Sequence, residues 1–499
     1  MFDCAPAALA ARNVPVAIVS ADFDGAGLLG AAAFAAAHGF PREKALAAVT
    51  SEAARILGIA GRTGSIEKGK DADFVLLSAL PFSEGASVCA TYVDGEEVFA
   101  RDRRAAAAPG GDLVLRGALV LTGDGGRFPG TDIIVAGDRI TAVGPNLPVP
   151  DGARVLDLAG KVVIPGLIDL SSRLGTHFAG GAGDQAPPFS GAETFHLSVS
   201  AMVRHDDPVF AACAGYGVLG LLLRGGESAL FAGTGAFLAP GAGREDFLVR
   251  PFGCLDIDVS GSARLARLAA LRNALRNFAR YEEARRQYRE ALDEFTHRKP
   301  RDAEGRLKEP VPPQKDPISE FLLQARRGEL PVFVRAARGD EIEGVLNVLA
   351  EDGGFAAVLL DAEGLNRAGE HVATMARGAV LLPPYRRRIE QAWVDLPQLC
   401  AEKGIPFALA SDGAAGSLYL RFYAAEAVSR GLAPDAALRA VTSVPARLAG
   451  LADRMGTIAR GRWANLVVLD GEPFAPGSRV ETVLVRGKVL EAFKEGGMR

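Results

Sequence analysis

Lys161-Val162-Val163-Ile164-Pro165-Gly166-Leu167-Ile168-Asp169-Leu170-Ser171-Ser172-Arg173-Leu174 is the stretch on which the reading of this chain turns. An apolar run is interrupted once by Pro-Gly and resumes through Asp169. Residues two apart in a strand point to the same side, so a strand here presents Ser171 and Arg173 together. A serine hydroxyl is a poor metal ligand. An arginine is always protonated and offers only donors. Whatever chemistry this strand end supports, Arg173 repels a divalent cation.

Composition sets wide bounds. The chain has 499 residues, 48% hydrophobic and 23% charged, with a formal net charge of -4. That is globular composition with ample material for a core. The 56 basic and 60 acidic residues are well mixed, which leaves no electrostatic footprint for nucleic acid or a membrane surface. Cys4, Cys89, Cys213, Cys254 and Cys400 form no C-x-x-C pair and read as reduced thiols. The six histidines are few for a histidine-built metal enzyme. No 18-residue apolar span or secretory leader is read, which implies a cytoplasmic protein.

Working outward, the chain repeats itself. Leu46 to Phe82 reads LAAVTSEAARILGIAGRTGSIEKGKDADFVLLSALPF, and Leu438 to Phe474 reads LRAVTSVPARLAGLADRMGTIARGRWANLVVLDGEPF. Roughly half the positions are identical without a gap, which reads as an internal repeat. The likeness continues upstream, Asn13-Val14-Pro15-Val16 opposite Gly404-Ile405-Pro406-Phe407, and downstream, Tyr92-Val93-Asp94-Gly95 opposite Leu484-Val485-Arg486-Gly487. Each copy predicts an apolar strand (16–20 and 407–411), an Ala-rich helix, a second helix around Ala-Val-Thr-Ser, a glycine turn and short alternating strands. Arg101 to Gly110 is read as a linker. From Asp112 alternating strands resume, with hairpin chemistry at Gly123-Asp124-Gly125-Gly126. Residues 262 to 296 carry apolar residues at three and four and predict one long helix, followed by a charged, Pro-rich excursion to 317.

Pro165-Gly166-Leu167-Ile168-Asp169 resembles the first barrel strand of the amidohydrolase superfamily, in which His-x-His follows. Here Ser171 and Arg173 stand in the histidine places. Asp206-Asp207-Pro208-Val209-Phe210 with the buried run after it, and the glycine-rich stretch 225–228 and Gly233-Thr234-Gly235, resemble the imidazolonepropionase-like branch. Pro331-Val332-Phe333-Val334-Arg335-Ala336-Ala337 matches a strand that carries His-Ala-His in that branch, so Arg335 and Ala337 replace both histidines. Asp361 occupies a further histidine place, and as a carboxylate it is read as meeting Arg335 or Arg173 in a buried pair. Ser411-Asp412 keeps the family's Ser-Asp at the eighth strand, where the aspartate touches metal and shuttles a proton. Its opposite number near the N-terminus is Ala21.

The resemblance implies an α/β fold, a (β/α)8 TIM-like barrel beside a composite β-sandwich, preceded by part of a second unit. The expected division is 1–104 as the C-terminal remnant of a first unit, 111–163 with 441–492 as the sandwich, and 164–440 as the barrel with a helical excursion at 262–327. On this reading the chain is the second half of a tandem protein with a remnant of the first, and its start is not the natural one. The remnant then packs on the second unit or pairs with another chain.

The family hydrolyses non-peptide C–N bonds with a divalent metal, which implies zinc. A catalytic zinc needs about three protein ligands and an open position, and only Asp412 survives at a ligand place, so no cofactor is expected. The sequence therefore predicts a metal-free pseudoenzyme, acting as a scaffold or as a binder of a small, anionic molecule. Asp412 is the candidate catalytic residue, with Ser171, Arg173, Arg335 and Asp361 as candidate ligand contacts. The alternative is an active C–N hydrolase that uses Asp412 as base and Arg173 or Arg335 as electrophile, or recruits ligands such as His177 or His196 from the loop after the first strand. A homodimer or an active amidohydrolase paralogue is the expected protein partner.

Overall fold

The computed structural model describes residues 14–19, 40–77, 80–81, 88–100, 112–175, 198–224, 229–298, 309–352, 354–389, 392–413 and 416–490, with single positions before residue 40. His177, His196, Ala21, the linker 101–110 and the glycine-rich 225–228 lie outside them. Two compact units are present, the smaller built mainly from residues 1–108 and the larger from 109–176 and 185–490.

The larger unit holds an eight-stranded sheet whose strands follow one another in chain order: β1 Leu167–Ser172, β2 Val218–Leu223, β3 Phe231–Leu238, β4 Leu248–Asp258, β5 Val332–Arg335, β6 Ala357–Leu360, β7 Gly378–Leu381 and β8 Phe407–Leu409. The ring closes where the Asp412 amide, just past β8, donates to the Ser171 carbonyl of β1 at 2.8 Å. Each of β2, β5, β6, β7 and β8 is a short, fully apolar or nearly apolar run, as expected of strands covered on both faces, and β1 is buried throughout although it carries Asp169, Ser171 and Ser172. Ile168, Leu222, Phe237, Cys254, Phe333, Val358, Val380 and Ala408, one from each strand, form a single apolar cluster that fills the barrel interior. Residues one step away, such as Leu221, Val332, Leu359 and Leu409, pack outward with the helices.

The barrel departs from an all-parallel one at β3, which runs antiparallel to both β2 and β4. The stretch expected to form a glycine-rich loop, Gly233-Thr234-Gly235, lies inside this strand. A Cβ on Gly235 would meet the Cys254 sulfur at 2.6 Å and the Leu223 carbonyl oxygen at 2.7 Å. Glycine is needed there for strand packing rather than for a turn.

The Pro-Gly of the opening stretch is the handover between two sheets. Val162–Pro165 belongs to a second sheet, ordered Lys488–Leu490, Val480–Val485, Leu466–Leu469, Val162–Pro165, Leu113–Leu121, Arg127–Ala136, Arg139–Gly144. Arg154–Asp157 pairs parallel with Leu113–Leu121. This sheet joins strands from both ends of the unit, with Leu115, Val120, Ile133, Val163, Leu466 and Leu484 in its core. A Cβ on Gly166 would fall 2.6–2.8 Å from the Leu219 side chain, so only glycine lets β1 start this close to β2. The long helix forms as one element, Arg264–Arg298. Among the described residues no helix is long and apolar enough to cross a membrane.

The smaller unit contains helices Arg42–Ala48 and Ser51–Ile56 and a three-stranded antiparallel sheet, Phe74–Leu77, Val88–Val93 and Glu96–Ala100. Among the described residues its buried apolar cluster is Ala35, Phe40, Ala45 and Ala48, with Val16, Ile18 and Ala36 against it. Of the strand expected at 16–20, residues 16–19 are described and form none. Residues 14–19 carry no strand assignment, whereas Phe407–Leu409 is a strand because β7 pairs with it.

Candidate functional site

The strands deliver their charged residues to one end of the barrel. Ser171 and Arg173 follow from β1, Arg224 from β2, Asp256 and Asp258 end β4, Arg335 ends β5, Asp361 follows β6 and Asp412 follows β8. This is the C-terminal end of the parallel strands, where barrel proteins place their chemistry. Asp361 and Asp412 both leave their strands in a left-handed conformation, φ 58° and 50°. Aspartate tolerates this better than most residues, and the barrel around it must hold the strain.

The candidate residues do meet. Ser171 Oγ donates to Asp412 Oδ1 at 3.1 Å. Arg173 Nη2 and Arg335 Nη2 each lie 3.9 Å from that same oxygen. Arg335 Nη1 lies 3.5 Å from Asp361 Oδ2. So Asp412 is flanked by two guanidinium groups and a hydroxyl, and Asp361 shares one of the cations. Burial pushes the Asp361 carboxyl above the usual carboxylate range against the pull of Arg387 and Arg335, and the neighbouring Asp412 charge pushes the same way.

Three further groups lie around these residues: Arg387 and the Arg224–Asp256 pair, which carry no motif, and Asp169, which belongs to the opening motif but is not among the expected site residues. Arg387, beyond β7, reaches back to Asp361 Oδ1 at 3.0 Å and also pairs with Glu363. Arg224, nine-tenths buried, binds Asp256 Oδ1 through Nε at 3.0 Å and Nη2 at 2.8 Å. Its Nη1 is buried with no hydrogen-bond partner among the described residues. Burial works against the Arg224 charge, but the surrounding negative groups, Asp256 first among them with Cys254 and Asp412, together outweigh it and raise the pKa. Beneath them Asp169 is fully buried and accepts from Ser171 N at 3.0 Å, Ser411 N at 3.2 Å, Ser411 Oγ at 2.5 Å and Ser417 Oγ at 2.7 Å. Burial raises its pKa even so. One signal was available in advance: Arg224 ends an all-apolar strand, and Asp256-Ile257-Asp258 places two carboxylates at the end of another.

This donor set does not fit zinc. Zinc takes thiolate, imidazole and carboxylate at about 2.0–2.3 Å. The places that the resemblance assigns to ligands hold a hydroxyl, two guanidinium groups, a methyl and two carboxylates already engaged with arginines. Among the described residues no cluster of three or more His, Cys, Asp or Glu side chains could hold a metal. Cys213, Cys254 and Cys400 are buried free thiols, Cys400 pushed up to about 12 by burial.

Comparisons with known proteins agree on the fold. Two models, each described as amidohydrolase family, match residues 24–99 and 331–497. A search of curated protein sequences finds no match. An amidohydrolase from Thermotoga maritima MSB8 is similar in structure, at 22% identity and a TM-score of 0.64, over 76% of this chain and 100% of that one. Phenylurea hydrolase B aligns at 17% identity and a TM-score of 0.46, over 77% of this chain and 97% of that one. The two family matches mark amidohydrolase-type segments at residues 24–99 and 331–497, in a chain whose barrel and composite sheet have the amidohydrolase fold.

Proposed function

We propose that this chain is a pseudoenzyme of the superfamily, a scaffold whose barrel mouth is tied by ion pairs in place of a metal. The superfamily is one of C–N hydrolases, and the departure proposed here rests on one observation. Asp412, at the one ligand place that keeps its family residue, has Arg173 and Arg335 on the same carboxylate oxygen at 3.9 Å. Two fixed positive charges occupy the space where neutral donors would have to converge. A dication entering there is repelled by both, in surroundings less polar than water. The reading in which Asp412 acts as a general base is supported less well, because its Oδ1 already accepts from Ser171. A scaffold of this kind has as its natural partner an active amidohydrolase paralogue or a second copy.

Elemental analysis of protein grown with zinc, manganese and iron tests the proposal. Less than about a tenth of an equivalent per chain is expected from this ligand set. Near one equivalent, lost in Asp412→Ala, would overturn it and mean that ligands such as His177 or His196 had been recruited.

A second reading, a binder of small anions, is favoured by the buried Arg224 Nη1 without a hydrogen-bond partner among the described residues. Calorimetric titration with phosphate and with acetate checks it. Heat from either that disappears in Arg224→Met supports the binder. No heat with either anion supports the scaffold alone.

A further inference from the structure

The smaller unit copies the tail of the larger one in detail, yet several of its apolar side chains are exposed where their counterparts are buried. Phe74–Leu77 pairs with Val88–Val93 as Phe74↔Tyr92, Val75↔Thr91, Leu76↔Ala90 and Leu77↔Val88. Leu466–Leu469 pairs with Val480–Val485 as Leu466↔Leu484, Val467↔Val483, Val468↔Thr482 and Leu469↔Val480. The register is the same position by position, and the irregularity falls between the third and fourth pairs in both. The following turns agree as well, with Asp94 and Arg486 both at φ 51°. Thr50 Oγ1 donates to the Leu46 carbonyl as Thr442 Oγ1 does to that of Leu438.

The difference is what covers these elements. In the larger unit Leu466–Leu469 is paired on its other edge with Val162–Pro165, antiparallel, Leu466 opposite Pro165 and Leu469 opposite Val162. Leu448, Ala449, Leu451 and Met455 belong to the apolar cluster that fills the barrel interior. In the smaller unit Phe74–Leu77 is an edge strand among the described residues. Ile66 is 87% exposed where its counterpart Ile458 is 3%, Leu57 71% where Ala449 is 1%, and Val75 51% where Val467 is 1%. Ile56, Ile59 and Leu76 are exposed too. Exposed apolar side chains of this kind, beside an open strand edge, mark an interaction surface.

We propose that this face docks the head half of a separate amidohydrolase-type unit. The occupant is an apolar strand of the Lys161–Pro165 kind, which adds antiparallel to Phe74–Leu77 by β-augmentation and runs through Pro-Gly into the first strand of a barrel whose interior receives Ile56, Leu57 and Ile59. The internal counterpart supplies both the register and the chemistry: Phe74 opposite the strand's proline, Leu77 opposite its first valine. This chain's own Val162–Pro165 is not the occupant, because Leu466–Leu469 and Leu113–Leu121 already pair with it on both edges. For the same reason a second copy does not offer a free strand of this kind.

The test uses the full chain and a labelled synthetic peptide spanning Leu158 to Leu170, read by fluorescence anisotropy and by hydrogen exchange. Binding is expected to slow exchange at Phe74–Leu77 and leave Leu466–Leu469 unchanged. Val75→Lys and Ile66→Asp change only exposed positions; Val75→Lys is expected to weaken the peptide at least tenfold, and a peptide with Val163 changed to Pro is expected not to bind. Absence of binding, or equal binding to wild type and Val75→Lys, overturns the proposal. So does concentration-dependent dimerisation in sedimentation that Val75→Lys abolishes, because the occupant is then a second copy.

Discussion

The same short sequence pattern folds twice in this chain, and the two copies end in opposite environments. Around Leu438 to Leu490 the strand and the helix end find partners, a strand on the free edge and the apolar cluster of the barrel interior, and the hairpin carbonyl of Gly123 accepts from the Thr442 and Ser443 hydroxyls. Around Leu46 to Ala100 the local geometry is reproduced, down to the register and the left-handed turn. The burial is not. Local structure here follows from turn chemistry and strand pairing within a few dozen residues, whereas burial depends on residues hundreds of positions away.

That contrast can be broken or sharpened by measurement. The largest effect is expected deep in the barrel. Asp169→Ala strands four donors in a dry site and should cost about 4 kcal/mol in unfolding of the larger unit, with the smaller unit's transition unmoved in calorimetry. A cost under about 1 kcal/mol would mean that water replaces the carboxylate. Next come the paired positions: Ile458→Ala should lose about 3 kcal/mol, Ile66→Ala no more than about 0.5 kcal/mol, both read from denaturant midpoints. Equal losses would show that Ile66 is buried in solution and would break the comparison outright. Amide exchange should then run at least about a hundredfold slower in Leu466–Leu469 than in Phe74–Leu77, since only the former has both edges paired and both faces covered.

The smallest effect is a pH slope. Asp169 has a pKa raised by burial in the folded state, so the fold binds this proton more tightly than the unfolded chain does. Its contribution is full below the unfolded value of about 3.9 and is lost as pH rises through the folded value. Asp169→Asn should flatten that fall in stability, seen by chemical denaturation across the acid range. A slope unchanged in the variant would assign it to another carboxyl, with Asp361, also raised by burial, the next to test.

Much of the site was legible because strand ends are legible. Pro165-Gly166 located β1, and the spacing from it named Ser171 and Arg173; the matches at Arg335, Asp361 and Asp412 followed in the same way. Their convergence on one carboxylate oxygen and one shared arginine is what the barrel adds. Arg387 comes from the short strand Arg386–Ile389 and Glu363 from a turn, neither with a motif of its own, and Arg224 meets Asp256 across β2, β3 and β4. The Ser411–Ser417–Asp169 cluster likewise joins residues 242 and 248 positions apart. No spacing within one strand points to such pairs.

The sequence by itself pointed to the barrel, to the likeness between residues 46–82 and 438–474, and to the absence of His at Ser171, Arg173, Arg335 and Ala337, because each is written in residues close together along the chain. Only the tertiary structure decided that β3 runs backwards, that the mouth is laced with arginine–carboxylate pairs, and that Ile458, Ala449 and Val467 are buried where Ile66, Leu57 and Val75 are exposed. Those outcomes depend on which distant strands lie side by side. A backbone edge or an apolar face carries no local mark of whether its partner is there.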